Sequence, residues 1–561
     1  MFAKTYLDVN PHAKMVIFDR AKSIGGVWAT ERDYPGLKTN NMLGTYEYPD
    51  FPMDPNTYGV QPGEFIPGRV VHKYLADFAT AFDLVKLIRF QSRVVSADKG
   101  EHSWKIYVSS ERQEMLVSSG KLILATGNTS EPFLPTFNVS DKFHRPLFHV
   151  KELGERIKSL QYAKEVAVIG GTKSAWDAAY AFSQQEGNKV VHMIIRESGH
   201  GPVWMAPPYV TPLHRWLEKL VHTRCLTFLS PCIWGTYDGY HHVRAFLHGT
   251  ALGRWIVDKF WSILADDVRT LNGYDKHSET KKLDPWSDPM FLGSGLSILN
   301  YDQDFFGLVR EGKIKPHIAD IESLNGSCVH FSTGEELKID AVICSTGWKH
   351  RPPLKLLSGS DADYGLPHTT SEDSIKEAYA SIDYEILTVF PRLANQPVQN
   401  RDMVAPPSST SDVDAPTRLN NPYRLYKFMV PPAMVRDRTF GLVGVPSTIT
   451  TSIIATIQAL WMTAYLSNEL ELPLSIEAIE HEAALHSRFG RWRYPAGHGA
   501  QYPDFVFDVL PYCDMLLQQL GLQSHRKNGA LAELFSAYGP EDYRGLLNEW
   551  NEKRRLARKM R

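Results

Sequence analysis

Two glycine turns carry the chemistry legible in this sequence. The clearer runs Gly170-Gly171-Thr172-Lys173-Ser174-Ala175, after the apolar strand candidate VAVIG (166–170) and before the helical segment SAWDAAYAFSQQ (174–185). Glycines at a strand-to-helix turn let the backbone approach a pyrophosphate, which then sits on the helix N-terminus. Thr172 stands where a third glycine is usual. A glycine turn alone is weak evidence. The strand before it and the helix after it favour nucleotide binding over a purely structural turn. Gly170, Gly171, Lys173 and Ser174 are thus candidate nucleotide contacts. Arg196 directly follows the next strand candidate, VVHMII (190–195). At that place a Rossmann unit reads the ribose: a carboxylate favours NAD and an arginine accommodates the 2′-phosphate of NADP. The competing reading is a plain surface arginine.

The second signal lies nearer the N-terminus. The strand candidate MVIF (15–18) ends at Asp19, and Gly25-Gly26-Val27-Trp28 follows six residues later. A carboxylate at such a strand end holds a ribose 2′-hydroxyl. Taken alone, Asp19 reads equally well as a loop aspartate; strand, aspartate and GGVW together are far more specific.

The elements that must position these groups alternate. Residues 3–9 read as the end of a helix and 25–53 as an ordered loop dense in Gly, Tyr, Pro and Asn. Residues 68–85 read as a helix, 86–118 as short strands, and 121–125 (KLILA) as a strand ending in Thr126-Gly127. The βαβ unit opened by VAVIG is interrupted by an aromatic-rich, mostly helical stretch at 203–305. It resumes at 313–347, where DAVICS (340–345) ends in Thr346-Gly347. Residues 355–420, rich in Ser, Asp, Pro and Thr, read as long surface loops. The segment from 439 returns to core-like sequence and then a helix.

Bulk properties narrow the class. At about 100–200 residues per domain, 561 residues allow two to four domains. A formal charge of -2 offers nothing that would draw the chain to nucleic acid. The five cysteines are scattered without CxxC spacing, so neither a zinc site nor a redox dithiol is expected, and no metal. No stretch reaches the roughly 18 uncharged apolar residues of a membrane span. A cytoplasmic protein with possible surface association is expected.

These motifs, in this order, resemble the class B flavin monooxygenases: flavin-containing, N-hydroxylating and Baeyer–Villiger enzymes. The resemblance spans roughly 3–205 and 310–465 and is weak beyond. GGVW (25–28) resembles the family's flavin loop, YPGLKTNN (34–41) the segment over the flavin, and LATGN (124–128) and CSTGW (344–348) the strand ends that return to the nucleotides. The linker fingerprint F-x-G-x-x-x-H is matched by Phe143 and His149, with Arg145 in the glycine's place. Aligned on DFP (50–52), Asn40 falls where flavin-containing monooxygenases carry an active-site asparagine, although Asn40 or Asn41 also suits a simple turn residue. Within the family the likeness is to fungal FAD-dependent monooxygenases of polyketide gene clusters.

The resemblance implies an α/β fold of two Rossmann-like domains, the NADPH domain inserted in the FAD domain. It implies FAD-domain segments at 1–150 and 351–500, an NADPH domain at 151–350 with a helical insertion at about 205–305, and a helical extension at 501–561. It implies FAD and NADPH contacts from Asp19, Gly25, Gly26, Val27, Trp28, Tyr34, Thr39, Asn40, Val94, Thr126, Gly127, His149, Gly170, Gly171, Lys173, Ser174, Arg196, Thr346 and Gly347, with Asn40 the catalytic candidate. The implied reaction reduces FAD with NADPH, forms a flavin hydroperoxide with O2 and passes one oxygen atom to a lipophilic small molecule. Members of the family begin with a strand and G-x-G-x-x-G ahead of a segment like AKTYLDVNP, so a longer chain is expected. The alternatives are a degenerate NADPH-binding relative without flavin activity, or a pyridine-nucleotide flavin or disulfide reductase, against which the missing CxxC argues.

Overall fold

The computed structural model describes residues 1–111, 113–211, 214–396 and 421–560. Helix α1 (Phe2–Val9) presents Phe2, Tyr6 and Val9 to a large apolar core. Strands β1 (Ile17–Phe18), β2 (Lys38–Met42), β3 (Ile88–Arg89) and β4 (Leu122–Leu124) follow. Then come β5 (Leu147–His149), β6 (Glu165–Ile169), α2 (Lys173–Ser183) and β7 (Val190–Ile195). Helices α3 (Leu217–Val221) and α4 (Ala251–Asn272) belong to the aromatic stretch. Strands β8 (Ile314–Ile318) and β9 (Ala341–Cys344), helix α5 (Glu372–Val389), strand β10 (Phe440–Leu442) and helix α6 (Thr451–Leu466) complete the elements that frame the site.

Four successive apolar residues in β6 leave no polar face for water, which suits a parallel strand covered on both sides. β6 stands at the centre of a five-stranded parallel sheet of order β5-β9-β6-β7-β8. Helix α2 covers one face. Its alanines Ala175, Ala178 and Ala179 let it approach closely, and Trp176 stacks on Phe305 at 4.2 Å between centroids. Fully burying such a side chain contributes roughly 1.5–3 kcal/mol.

Two further parallel pairs lie apart from this sheet: β1 with β3, and β4 with β10. Helix α6 is apolar nearly all round and is buried from Ser452 to Leu466 except at Ala455, as expected of a core helix. Its polar Gln458 is satisfied, donating to the Tyr512 hydroxyl at 2.8 Å and accepting the Gly444 N–H at 3.1 Å. Helix α1 packs on α6, and the Asn10 amide donates to the Ser467 hydroxyl at 3.2 Å.

The aromatic stretch is pinched at its base by a parallel pair, Trp204–Ala206 with Leu296–Ile298. Helix α4 and its neighbours form a core with α5 and the helix Ile476–Arg493. Arg224 anchors the C-terminal region to this stretch. Fully buried, it pairs with Asp514 and Glu533 at 2.6 Å each.

Three local expectations are corrected. The strand expected at 15–18 is only two residues long, because Met15 and Val16 find no ladder partner. The loop expected at 25–53 contains β2, paired with Phe65–Pro67. The stretch 355–420, expected as loops, contains the 18-residue helix α5. Ser371 caps α5 by accepting the Ser374 N–H, and Ile375, Tyr379, Ile382 and Ile386 form its buried stripe. Residues 397–420 of that stretch lie outside the described residues. Among the described residues, no helix is long and apolar enough to cross a membrane.

Candidate active site

The first glycine turn splits its two glycines between two tasks. Gly25 has φ +119, and a Cβ there would meet the Trp28 carbonyl at 3.0 Å, so the turn itself demands glycine. Gly26 has φ +61 with nothing within 4 Å of a Cβ, and Val27 beside it is 45% exposed. Trp28 packs edge-on against Tyr46 at 6.4 Å. Asp19 uses one carboxylate oxygen to accept the Ala21 N–H at 2.8 Å at the end of β1. Phe18 and Val94 both pack against one apolar cluster.

The ends of β4 and β9 repeat the open-glycine arrangement. Gly127 (φ +65) and Gly347 (φ +95) both face open space where a Cβ would project. The chain beyond them is stitched together. Trp348 pairs with Pro132 and Lys349 with Glu131, and the Thr346 hydroxyl donates to the Phe133 carbonyl at 2.6 Å. The two return segments therefore meet side by side. Arg32, from the loop after GGVW, lies over the Trp348 ring at 5.8 Å. His149, at the end of β5, closes the junction through Gly347.

At the second turn both glycines face protein. A Cβ on Gly170 (φ +137) would stand 2.4 Å from the Ser345 carbonyl, and one on Gly171 2.7 Å from that of Gly201. Glycine here lets β6, β9 and α2 converge. Thr172 occupies the N-cap of α2 but makes no side-chain cap, so the first-turn N–H groups, including those of Lys173 and Ser174, are not taken by it. The Lys173 ammonium is held inward by Asp177 and by Asn300 at 2.9 Å. Arg196 is half-buried at the end of β7.

The segment 34–41 docks on this second unit. Tyr34 packs at the edge of its core, and burial together with the nearby Asp177 carboxylate pushes its phenol well up. Gly36 lies against the Tyr180 ring. Thr39 is buried, and its carbonyl accepts from Asn300 Nδ2 at 2.9 Å. Asn40 is exposed, whereas its neighbour Asn41 turns inward to the Glu218 carboxylate and the Ile449 carbonyl, the latter at 2.7 Å. Successive residues of a strand face opposite ways, which separates the two asparagines.

Glu218, Asn300, Asp177 and His222 were not singled out in the sequence. Glu218 and His222 share one helical face within LEKLVH, a weak signal; Asn300 and Asp177 carry none. Burial pushes the Glu218 carboxyl up to about 7 and the His222 imidazole down to about 4.

Gly26, Gly127 and Gly347, backbone loops that a Cβ would fill, fit the close approach of a dinucleotide. The uncapped start of α2 fits a phosphate. The two strand-and-turn units meet side by side at the paired segments beyond Gly127 and Gly347.

The comparisons make this particular. The chain matches the flavin-binding monooxygenase-like family over residues 8–237. It is 32% identical to the FAD-dependent monooxygenase rstn6 of Aspergillus nomiae, covering 98% of this chain and 95% of that one. The FAD-dependent monooxygenase DEP4 of Alternaria brassicicola is 29% identical, covering 99% and 94%. An ε-caprolactone-bound crystal structure of cyclohexanone monooxygenase shares the fold, with TM-score 0.57 at 14% identity over 98% and 95% of the two chains. The chain belongs to the flavin-binding, FAD-dependent monooxygenases.

Proposed function

We propose that this chain, with bound FAD, consumes NADPH and O2 to place one oxygen atom in a lipophilic small molecule, within fungal secondary metabolism of the polyketide type. The other oxygen atom leaves as water, and NADPH leaves as NADP+. Bound FAD supplies the hydride-accepting and oxygen-activating chemistry. The chain's own residues bind, orient and exclude water. In this reading the segments 1–150 and 351–500 hold FAD, and 151–350 holds NADPH.

On the FAD side, Gly26, Val27 and Gly127 line the approach, with Asp19 near the ribose. On the NADPH side, the uncapped first turn of α2 receives the pyrophosphate and Arg196 the 2′-phosphate. Lys173 acts indirectly, through Asn300, on the strand that bears Asn40. The Asn40 amide, exposed on β2, donates to or accepts from the reacting groups. The buried aromatics of the insertion, Trp204, Trp261 and Phe291, keep water from that side. A cytoplasmic location, at a membrane surface when a lipophilic substrate requires it, belongs to the same reading.

The observation that carries this proposal is the junction of the two return segments, which follow the open glycines Gly127 and Gly347, pair strand to strand, and are held on the Gly347 side by His149. The test is stoichiometric. With FAD and a lipophilic ketone or aromatic panel, NADPH oxidised and O2 consumed should match one to one, with an oxygenated product. NADPH oxidation that returns all its O2 as hydrogen peroxide with every substrate would point to an oxidase or reductase instead.

A further inference from the structure

Two residues of the insertion bracket Asn40. On one side, Asn300 Nδ2 donates to the Thr39 carbonyl at 2.9 Å and the Lys38 carbonyl at 3.3 Å. On the other, Glu218, 6% exposed on α3, accepts the Asn41 side-chain amide and the Met42 N–H, the latter at 3.3 Å. One turn along α3, His222 meets the hydroxyl of Thr450, the N-cap residue of α6. The Asn41 amide also donates to Ile449, beside Thr450. A single turn of α3 therefore touches both the strand that bears Asn40 and the start of α6.

A buried carboxylate is costly in desolvation, and its retention is poorly explained by stability. Its chemistry suits the place: two oxygens accept from two separate donors. A neutral amide in its stead offers one acceptor and sets an NH2 group against the Met42 N–H.

We propose that Glu218 is a positioning residue, which holds Asn41 and Met42 so that Asn40 stays on the exposed face of β2, and thereby lets the insertion set the geometry of oxygen transfer. This rests on the reading of Asn40 as the amide at the reacting centre. The groups bonded to the Glu218 carboxylate are the Asn41 amide and the Met42 N–H; His222, the residue after α3, is kept neutral by burial. Lys219 on the same helix lies over the Trp216 ring at 4.4 Å.

The test compares Glu218→Gln, Asn41→Ala and the unaltered full chain at pH 8. Hydrogen exchange of the backbone amides over 40–45 should quicken about tenfold in both variants, the scale expected when a hydrogen bond to a charged group is lost. Melting temperature and FAD uptake should hold in E218Q. During NADPH oxidation with FAD and a substrate that the unaltered chain oxygenates, hydrogen peroxide released per NADPH should rise at least about threefold in E218Q. In the unaltered chain that share should rise as pH falls from 8 to 6, while in E218Q it should already be high and flat. Unchanged exchange at 40–45 in both variants, or an unchanged peroxide share and pH profile in E218Q, overturns the proposal. Quickened exchange in a chain that takes up FAD but oxidises no NADPH instead overturns the functional reading, and with it the role in oxygen transfer, while the contact stands.

Discussion

The Nε2 of His149 lies 3.0 Å from the carbonyl oxygen of Gly347, and the ring stands edge-on to Trp348 at 4.9 Å between centroids. Its Nδ1 accepts the Lys151 N–H at 3.2 Å, so Nε2 carries the proton and donates. Burial holds the ring neutral, with its pKa lowered to about 4. The same Gly347 carbonyl accepts the Phe133 N–H at 3.0 Å. One neutral imidazole thus ties the segment leading into the second sheet to the paired return segments. His149→Ala removes the donor and the Lys151 cap together. It should raise the NADPH concentration needed for half-maximal oxidation about tenfold, with FAD content preserved. An unchanged NADPH titration would contradict the linking role.

The two kinds of glycine should respond differently to alanine. At Gly170 the new Cβ would lie 2.4 Å from the Ser345 carbonyl at φ +137, so Gly170→Ala should give insoluble or unfolded protein. At Gly347 the Cβ would face open space, and only the left-handed backbone opposes it, at about 1 kcal/mol. Gly347→Ala should fold, melt within a few degrees of the parent and bind dinucleotide more weakly. Melting curves and cofactor titrations of the pair check this; equal behaviour would remove the distinction.

Acid should destabilise the fold above the range of ordinary carboxylates. Burial lowers His149, His222, His248 and His317 to about 4 and His350 to about 3, from the ordinary imidazole value of about 6.5. Between those values the unfolded chain binds more protons, so stability is lost as pH falls from about 6.5 toward 4. Glu218 and Asp514, raised to about 7 and about 6, act in the opposite sense, since their contribution is lost as pH rises through the same interval. These five imidazoles outweigh the two carboxyls. The melting temperature should drop by roughly 5 °C or more between pH 6.5 and 5. His248→Gln should flatten that slope. A melting temperature constant over this interval would show that these rings do not stay neutral.

Arg224 joins the insertion to the C-terminal helices with no solvent to replace its partners. Arg224→Ala leaves Asp514 and Glu533 buried without their cation and should cost about 3–5 kcal/mol. Urea unfolding measures it; a loss under about 1 kcal/mol would mean that water reaches the site.

The motifs that proved legible were local ones. VAVIG, VVHMII and DAVICS are apolar at nearly every position, and that is how buried parallel strands read; each sits in the five-stranded sheet. Helix α5 was illegible because its Ser, Glu and Asp residues hide a stripe from Ile375 to Ile386 that only the insertion's apolar face explains. The bracket around Asn40 was illegible for a different reason. Its members, Glu218 and Asn300, lie 177 and 260 residues from their partners, Asn41 and Asn40, and no local pattern encodes such a contact. Nor could the sequence show that Asn41, beside the candidate Asn40, is committed inward.

In the proposed reading this chain holds FAD and reduces it with NADPH. The most direct measurement is the visible spectrum of the purified protein with added FAD, freed of unbound flavin and titrated with NADPH in the absence of oxygen. The account predicts a blue absorption band that bleaches with one equivalent of NADPH, less readily with NADH, and returns on admitting air. A colourless protein that retains no FAD, or a bound flavin that NADPH leaves oxidised, would contradict it.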